Sequence, residues 1–239
     1  MTRTRFHQGL DELKEKLLEM GGLAEIAVDK AVDGYRRNDA LLCEEVFNLE
    51  DKINKAEREI DEMALDLLAL QQPMAVDLRF LTACMKINAD LERVGDQAVN
   101  IAERGIQESK LPQVDLPVDI PRLAGTAAGM VRRALESFVE GRADLADAVL
   151  KMDDIVDRMN DDVYLAMVNT MHKDSEHVQQ ALDALLVARS LERVADHATN
   201  IAEDVIFWVK GADVRHHAQE LEEKMLAEKA AKENAAKVE

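Results

Sequence analysis

One thirteen-residue stretch occurs twice in this chain, one hundred positions apart. Residues 91–103 read LERVGDQAVNIAE and residues 191–203 read LERVADHATNIAE, so that ten of the thirteen pairs are identical. A fixed internal period of this kind is the signature of a repeated structural unit. The duplication therefore predicts two similar units, arranged in tandem along the chain.

The composition of the 239 residues favours an all-α fold. Ala, Leu, Met, Glu and Lys are plentiful, and these are strong helix formers, whereas the chain has only 10 Gly and 4 Pro. The hydrophobic content of 47% is enough for a sizeable core. The net charge of -18 argues against a nucleic-acid partner, because phosphate contacts require Lys and Arg, and against an anionic membrane surface.

Apolar residues recur at helical spacing in six segments, and the breaks between them divide the chain. The first three predicted helices run from about 6 to 37, from the Asn38–Asp39 turn to Pro73, and from 75 to 109. The others run from 122 to 141, from 144 to 171 and from 174 to 210. Three of the four prolines fall between the two sets, which indicates an extended linker.

The resulting prediction is two tandem, pseudo-symmetric, antiparallel three-helix bundles, because short connections favour antiparallel neighbours. The first three-helix unit occupies 1–110, the proline-rich linker 111–121 and the second unit 122–212. A charged tail follows at 213–239, and its thin apolar stripe predicts a helix that frays at its end.

The absence of several familiar motifs limits where the protein works and what it does. No apolar run approaches the roughly 20 residues of a membrane span, and the N-terminal stretch has no apolar signal core. Cys43 and Cys84 have no metal-type spacing and are interpreted as buried and reduced. No phosphate-binding loop, nucleophile elbow, HExxH or Glu-x-x-His motif is present. We therefore expect a cytoplasmic protein that is not an enzyme and does not insert into membranes.

Each copy of the repeated stretch places two carboxylates four residues apart, at Glu92 and Asp96 and again at Glu192 and Asp196. Residues at this spacing share one helical face, and like charges there cost about 0.2–0.5 kcal/mol. Because the costly arrangement is duplicated, it suggests a bound cation.

The preceding helix of each unit offers further oxygen ligands. Aligning the two units on their valines places Glu50 in the first unit opposite Asp153 in the second. The same alignment places Asn54 opposite Asp157, so the first set is one carboxylate short. All-oxygen ligands suit hard ions such as Mg²⁺, Ca²⁺ and Mn²⁺, and also iron.

Two other readings of these acidic residues stay open. The carboxylates can be ordinary solvated helix faces, or they can be neutralised by arginines nearby in the sequence, namely Arg93, Arg189 and Arg193. His197 follows Asp196, but Gln97 occupies the matching place in the first copy. We therefore interpret His197 as a surface residue or a support for a ligand rather than as a ligand shared by both units.

The chain also resembles the PhoU family, the accessory regulators of phosphate-specific transport. The resemblance rests on four blocks in a fixed order, which are MGGLAE at 20–25, QQPMAVDLR at 71–79, the doubled LERV-x-D-x-A-x-NIAE, and VKGADVRH at 209–216. It extends over nearly the whole chain and implies a fold of two pseudo-symmetric three-helix bundles.

The functional expectations from this resemblance are regulatory. It implies a negative regulator of the phosphate-starvation response that links the ATPase subunit of a phosphate ABC transporter to a sensor histidine kinase, and that forms a homodimer. It also implies clusters of iron, zinc, manganese or magnesium held by Glu92, Asp96, Glu192 and Asp196, together with Glu50, Asp153 and Asp157. The alternatives are a metal storage or buffering protein and a plain helical scaffold.

Overall fold

Long helices joined by short connections make up residues 3–211, the part of the chain that the computed structural model describes. The seven α-helices are α1 (Arg3–Arg37), α2 (Ala40–Gln71), α3 (Val76–Glu108), α4 (Ile120–Glu140), α5 (Ala143–Leu150), α6 (Asp153–Lys173) and α7 (Val178–Lys210). No strand is found within this range, which confirms the all-α prediction. The charged tail predicted at 213–239 lies outside the described residues.

The helix ends of the first unit lie where local sequence signals predict them. Asn38 adopts a left-handed φ of 58°, and the Asp39 side chain then accepts a hydrogen bond from Leu42 N at 3.1 Å as the N-cap of α2. Gln72, with a φ of 49°, ends α2 just before Pro73. The predicted turns at these two places are therefore confirmed.

The fourth helix begins slightly earlier than predicted. The Asp119 side chain caps α4 by accepting from Arg122 N at 3.1 Å, and Pro121 lies in the first turn, where its missing N–H costs nothing. The helix thus starts at Ile120, inside the predicted linker. The division at 111–121 and 122–212 stays a prediction.

The prediction of a single helix at 144–171 is wrong, because the structure has two helices, α5 and α6, separated at Lys151 and Met152. Both residues keep right-handed helical angles, but Met152 N donates to the carbonyl of Val149, three residues back, at 2.9 Å. The interruption is therefore a local tightening of the helix rather than a loop. The predicted start of the last helix is also early, since a short 3₁₀ turn at Ser175–His177 precedes α7.

The two units pack against each other through α3 against α7 and α1 against α4. Arg79 Nε, near the start of α3, donates to the carbonyl of Trp208 at 3.2 Å, near the end of α7. Arg104, near the end of α3, lies 3.8 Å from Asp183, near the start of α7. The α3–α7 interface, which extends between these two contacts, is therefore antiparallel.

Aromatic rings close one end of the contact between the units. Phe80 of α3 stacks on Phe138 of α4 with ring centroids 5.6 Å apart, and Trp208 of α7 meets Phe80 at 5.0 Å. Such pairs add about 0.5–1.5 kcal/mol each beyond the area they bury. With aromatics at only 3% of the chain, these three residues concentrate a large share of its rings where three helices meet.

Small residues allow α1, α2 and α3 to approach closely at the other end of the first unit. Gly34 of α1 and Gly105 of α3 both face Cys43 of α2, and a Cβ on Gly105 would lie 3.2 Å from the Tyr35 backbone. Cys43 is buried and unpaired, as predicted, and burial raises the pKa of its thiol to about 11. None of the described helices is both long and apolar enough to cross a membrane.

Candidate functional site

Each unit carries an acidic face between two of its helices. The first acidic face lies between α2 and α3, and the second lies between α6 and α7. The repeated stretch supplies the α3 and α7 sides, where the Glu of each copy is half-buried and the Asp is exposed. The full sets are Glu50, Glu57, Glu92 and Asp96 for the first acidic face and Asp153, Asp157, Asp161, Glu192 and Asp196 for the second.

The strongest electrostatic perturbation occurs at Asp153 of the second acidic face. Burial, together with the negative charges of Asp157 and Asp196, raises the pKa of its carboxyl to about 6. Asp153 Oδ1 is buried and has no hydrogen-bond partner among residues 3–211. A buried acceptor without a donor is costly, so this oxygen is the one in the face that most favours a positively charged ligand.

The α7 side of the second acidic face is held partly by an amide. Asn160 Nδ2 of α6 donates to Glu192 Oε2 at 2.8 Å. Burial raises the pKa of Glu192, as does Asp196, while Arg189 lowers it. Asp196 is exposed, but the protein atoms around it displace part of its water and so raise its pKa, against the lowering effect of His197 and Arg193. The arginines therefore compensate this face only in part.

The first acidic face is built differently on its α2 side. Asn54 Nδ2 donates to Glu50, so the amide that departs from the carboxylate pattern engages the neighbouring carboxylate. Burial raises the pKa of Glu92 most, and the negative charges of Asp96 and Glu57 raise it as well. Glu57 was not among the predicted residues, although it lies seven positions after Glu50 and so shares its helical face.

All seven predicted carboxylates thus lie on the two acidic faces. The donor chemistry fits a hard cation, because every side chain involved offers oxygen and the charges repel one another. No group of three or more His, Cys, Asp or Glu side chains within the described range already forms a metal-binding cage. The predicted metal site stays a prediction.

The predicted surface position of His197 is wrong, because the structure places this residue inside the α3–α7 interface. The residue is 8% exposed, and its Nδ1 lies 2.9 Å from Oδ1 of Asp90, a residue that is 7% exposed. Asn200 Nδ2 donates to the same Asp90 oxygen at 3.2 Å. His197 therefore bridges the two units. Asp90, which sequence reasoning missed, has the spacing of a core position relative to Val94.

Apolar side chains are exposed around the connection between α2 and α3. Met74 in this connection is 79% exposed, and the residue after it, Ala75, has a left-handed φ of 50°. Backbone strain of this kind costs of order 1–3 kcal/mol and concentrates at functional segments. The exposed apolar residues of this α2–α3 patch are Leu65, Leu70, Met74, Val76 and Leu78.

Comparison with known proteins identifies the same two units. The family model for the PhoU domain matches the chain twice, at residues 17–105 and 120–205. A relative from Pseudomonas putida, named phosphate-specific transport system accessory protein PhoU homolog, is 39% identical over 215 residues, covering 89% of this chain and 83% of its own.

Solved structures agree with the fold. PhoU from Pseudomonas aeruginosa superposes with a TM-score of 0.82 at 37% identity, covering 87% of this chain and 100% of the other. The phosphate transport system regulatory protein PhoU from Streptococcus pneumoniae gives a TM-score of 0.81 at 28% identity, covering 87% and 99%. The predicted pair of three-helix bundles is confirmed, with α5 and α6 together forming one arm of the second.

Proposed function

We propose that this chain, which belongs to the PhoU family, is a negative regulator of the phosphate-starvation response. In this proposal it acts in the cytoplasm as an adaptor between the ATPase subunit of a phosphate ABC transporter and a sensor histidine kinase. The observation that carries the proposal is the double match of the PhoU domain, joined to relatives named as accessory proteins of phosphate-specific transport.

Membership in this family of accessory proteins confirms that the chain is not an enzyme. A non-enzymatic regulator must act through binding. It can bias a kinase only if its affinity differs between two kinase states, and the size of that difference limits the effect. An adaptor therefore has to present a surface that partners recognise.

The α2–α3 patch supports such a surface. Large apolar side chains exposed to water mark protein contact sites when they cluster, and five of them lie within fourteen residues here. Leu70 and Met74 are the two most exposed, at 66% and 79%. We propose that this patch contacts one of the two partners. The homodimer expected from the family stays a prediction.

In phosphate-replete cells, deletion of the gene is expected to raise alkaline phosphatase activity about tenfold or more, because the kinase loses its repressor. Tenfold corresponds to about 1.4 kcal/mol of lost coupling, within the usual range for allosteric effects. Reintroducing the wild-type gene restores repression. The Leu70→Asp/Met74→Asp variant is expected not to restore repression. The matched control is Leu165→Asp, at an exposed site on α6, which is expected to restore it.

Direct partner capture complements the cell assay. The tagged full chain is purified from detergent-solubilised cells grown at high and at low phosphate, and the ATPase and the kinase are identified by mass spectrometry. Absence of both partners under both conditions contradicts the adaptor function. An unchanged phosphatase activity in the deletion strain contradicts it as well.

A second candidate function is cation binding by the acidic faces, favoured by the orphaned Asp153 oxygen and the mutually raised pKa values. In the second acidic face, Asp153, Asp157, Glu192 and Asp196 would hold the ion, and in the first face Glu50, Glu92 and Asp96 would do so. A bound cation supplies the positive charge that offsets carboxylate repulsion. Iron, zinc, manganese and magnesium are the ions to test.

Added Mn²⁺ or Zn²⁺ is expected to raise the melting temperature of chelator-treated protein by about 5 °C at pH 7 and by much less at pH 5. A carboxyl whose folded pKa is raised to about 6 costs stability as pH rises from its ordinary 3.8 to 6. The cation relieves that cost and stabilises by mass action. At pH 5 the Asp153 carboxyl is mostly protonated, so the cation has to displace a proton there.

Two variants test whether the metal binds at the second acidic face or elsewhere on the surface. Glu192→Gln/Asp196→Asn is expected to lose bound metal as measured by atomic emission. Asp162→Asn, at an exposed position on α6, is expected to keep it. Equal metal content in all three proteins, or an equal temperature shift at both pH values, contradicts cation binding at these carboxylates.

A further inference from the structure

The two ends of the α3–α7 interface are related by the one-hundred-residue offset, but they differ in charge. At one end, Lys86 Nζ of α3 lies 2.8 Å from Asp204 Oδ1 of α7. Beside this pair, Asp90 accepts hydrogen bonds from His197 and Asn200. Both Asp90 and Asp204 therefore have a donor from the opposite helix.

At the other end, the matching positions have lost both carboxylates. Ser190 stands where the first copy has Asp90, and Arg104 stands where the second copy has Asp204. A further arginine, Arg189, occupies the place of Ala89. The matching positions therefore carry carboxylates at one end of the interface and a hydroxyl and an arginine at the other.

These side chains surround a cavity of about 210 Å³ between α3 and α7. Its polar lining consists of three arginines, two amides and a hydroxyl, namely Arg104, Arg189, Arg193, Gln97, Asn100 and Ser190. No Asp or Glu belongs to this lining. In a chain of net charge -18, a cavity lined by three cations and no carboxylate is a local reversal of sign.

The arginines of this cavity are not fully engaged by neighbouring carboxylates, so they can bind a ligand. Arg104 has an acidic neighbour, Asp183, but at 3.8 Å, and its Nη1 also donates to Gln107. Arg189 and Arg193 form no ion pair within 4 Å with any of the described residues. Their charges act only at longer range, on the second acidic face. Three guanidinium groups therefore share one space, and among residues 3–211 only Arg104 has a carboxylate within 4 Å.

We propose that this cavity binds a small tetrahedral oxyanion, with inorganic phosphate as the ligand. Guanidinium groups present paired N–H donors that match phosphate oxygens, and the amides and the hydroxyl add further donors. The volume is below the roughly 300–1,000 Å³ of pockets for drug-sized molecules, which limits the ligand to one small group. The other end of the interface, with its own carboxylates, is excluded as a second site.

This inference does not require the adaptor function, since an anion site is measured on the purified chain alone. Isothermal titration of inorganic phosphate into the full chain is expected to show one saturable site. Arg193→Gln is expected to weaken binding about tenfold, the usual effect of losing a charged hydrogen bond. Arg93→Gln, at the matching position in the first copy, is the control and leaves binding unchanged.

A second variant tests the sign of the charge. Ser190→Asp restores the carboxylate that the other end carries as Asp90, and it is expected to abolish phosphate binding while circular dichroism shows an unchanged helix content. Absence of saturable phosphate binding by the wild-type chain overturns the proposal. Equal weakening by Arg193→Gln and Arg93→Gln does so too.

The free ion has to be distinguished from a phosphoryl group carried on a larger molecule. O-phosphoserine, titrated in parallel, carries the same oxyanion on a bulkier body and is expected to bind at least tenfold more weakly in so small a cavity. Tighter binding of O-phosphoserine than of inorganic phosphate overturns the assignment to the free ion. Loss of the cell phenotype alone bears on the adaptor function and not on this site.

Discussion

Replacing His197 with leucine is expected to lower the free energy of unfolding by about 3 kcal/mol, measured by urea titration with far-ultraviolet circular dichroism. The substitution removes the main partner of Asp90, a residue that is 7% exposed and whose carboxylate would keep only Asn200 as a donor. Removing one partner of a buried polar pair leaves the other desolvated and unpaired, which costs about 3–5 kcal/mol when a charge is involved.

The internal repeat provides the control for this prediction. The double variant Asp90→Ser/His197→Gln copies Ser190 and Gln97, the residues at the matching positions of the other end. Because the buried carboxylate leaves together with its partner, the double variant is expected to cost only about 1 kcal/mol. If it is as unstable as His197→Leu, the pair does not hold the interface in the way the geometry indicates.

Gly105→Ala is expected to destabilise the protein by about 2 kcal/mol. A Cβ at this position would lie 3.2 Å from the Tyr35 backbone and closer still to Cys43 Sγ, so α1 and α2 would have to move away from α3. Overpacking of this kind costs about 1–3 kcal/mol, and the better helix propensity of alanine returns less than 1 kcal/mol. Differential scanning calorimetry should show a melting temperature lower by about 5 °C.

Gly129→Ala is the matched control, since it also lies inside a helix, α4, and nothing approaches its Cβ position within 4 Å. There, alanine removes backbone entropy from the unfolded chain and is expected to stabilise the protein by about 0.5–1 kcal/mol. The two substitutions should therefore have opposite signs. A loss of stability in both would mean that the close approach at Gly105 is not what sets the effect.

Local signals explain why much of the fold could be predicted from the sequence. Asp39 and Asp119 are short acceptors that cap helices, and Pro73 stops one, so these ends depend on neighbours along the chain. The acidic faces were predictable for a similar reason. Glu92 and Asp96 share one face of any helix that contains them, and their duplication distinguishes that face from an ordinary solvated one.

The remaining features depend on contacts that the sequence does not state. The interruption at Met152 has no Gly or Pro to mark it. His197 was misplaced because its burial depends on which face of α7 is covered by α3. A signal was present, since Asp90 and His197 both fall on apolar stripes, yet recognising it requires knowing that the two stripes face each other.

The covalent connection between the two units has a consequence for symmetry. Two separate identical chains, meeting through this helix in an antiparallel pair, would carry the same residues at both ends of their contact. A single chain encodes each copy independently, so Asp90 can persist at one end while Ser190 replaces it at the other. The short connection at 109–119 also makes the association intramolecular, so it does not weaken on dilution. Tandem fusion thus permits a polarity that a symmetric dimer of single units cannot have.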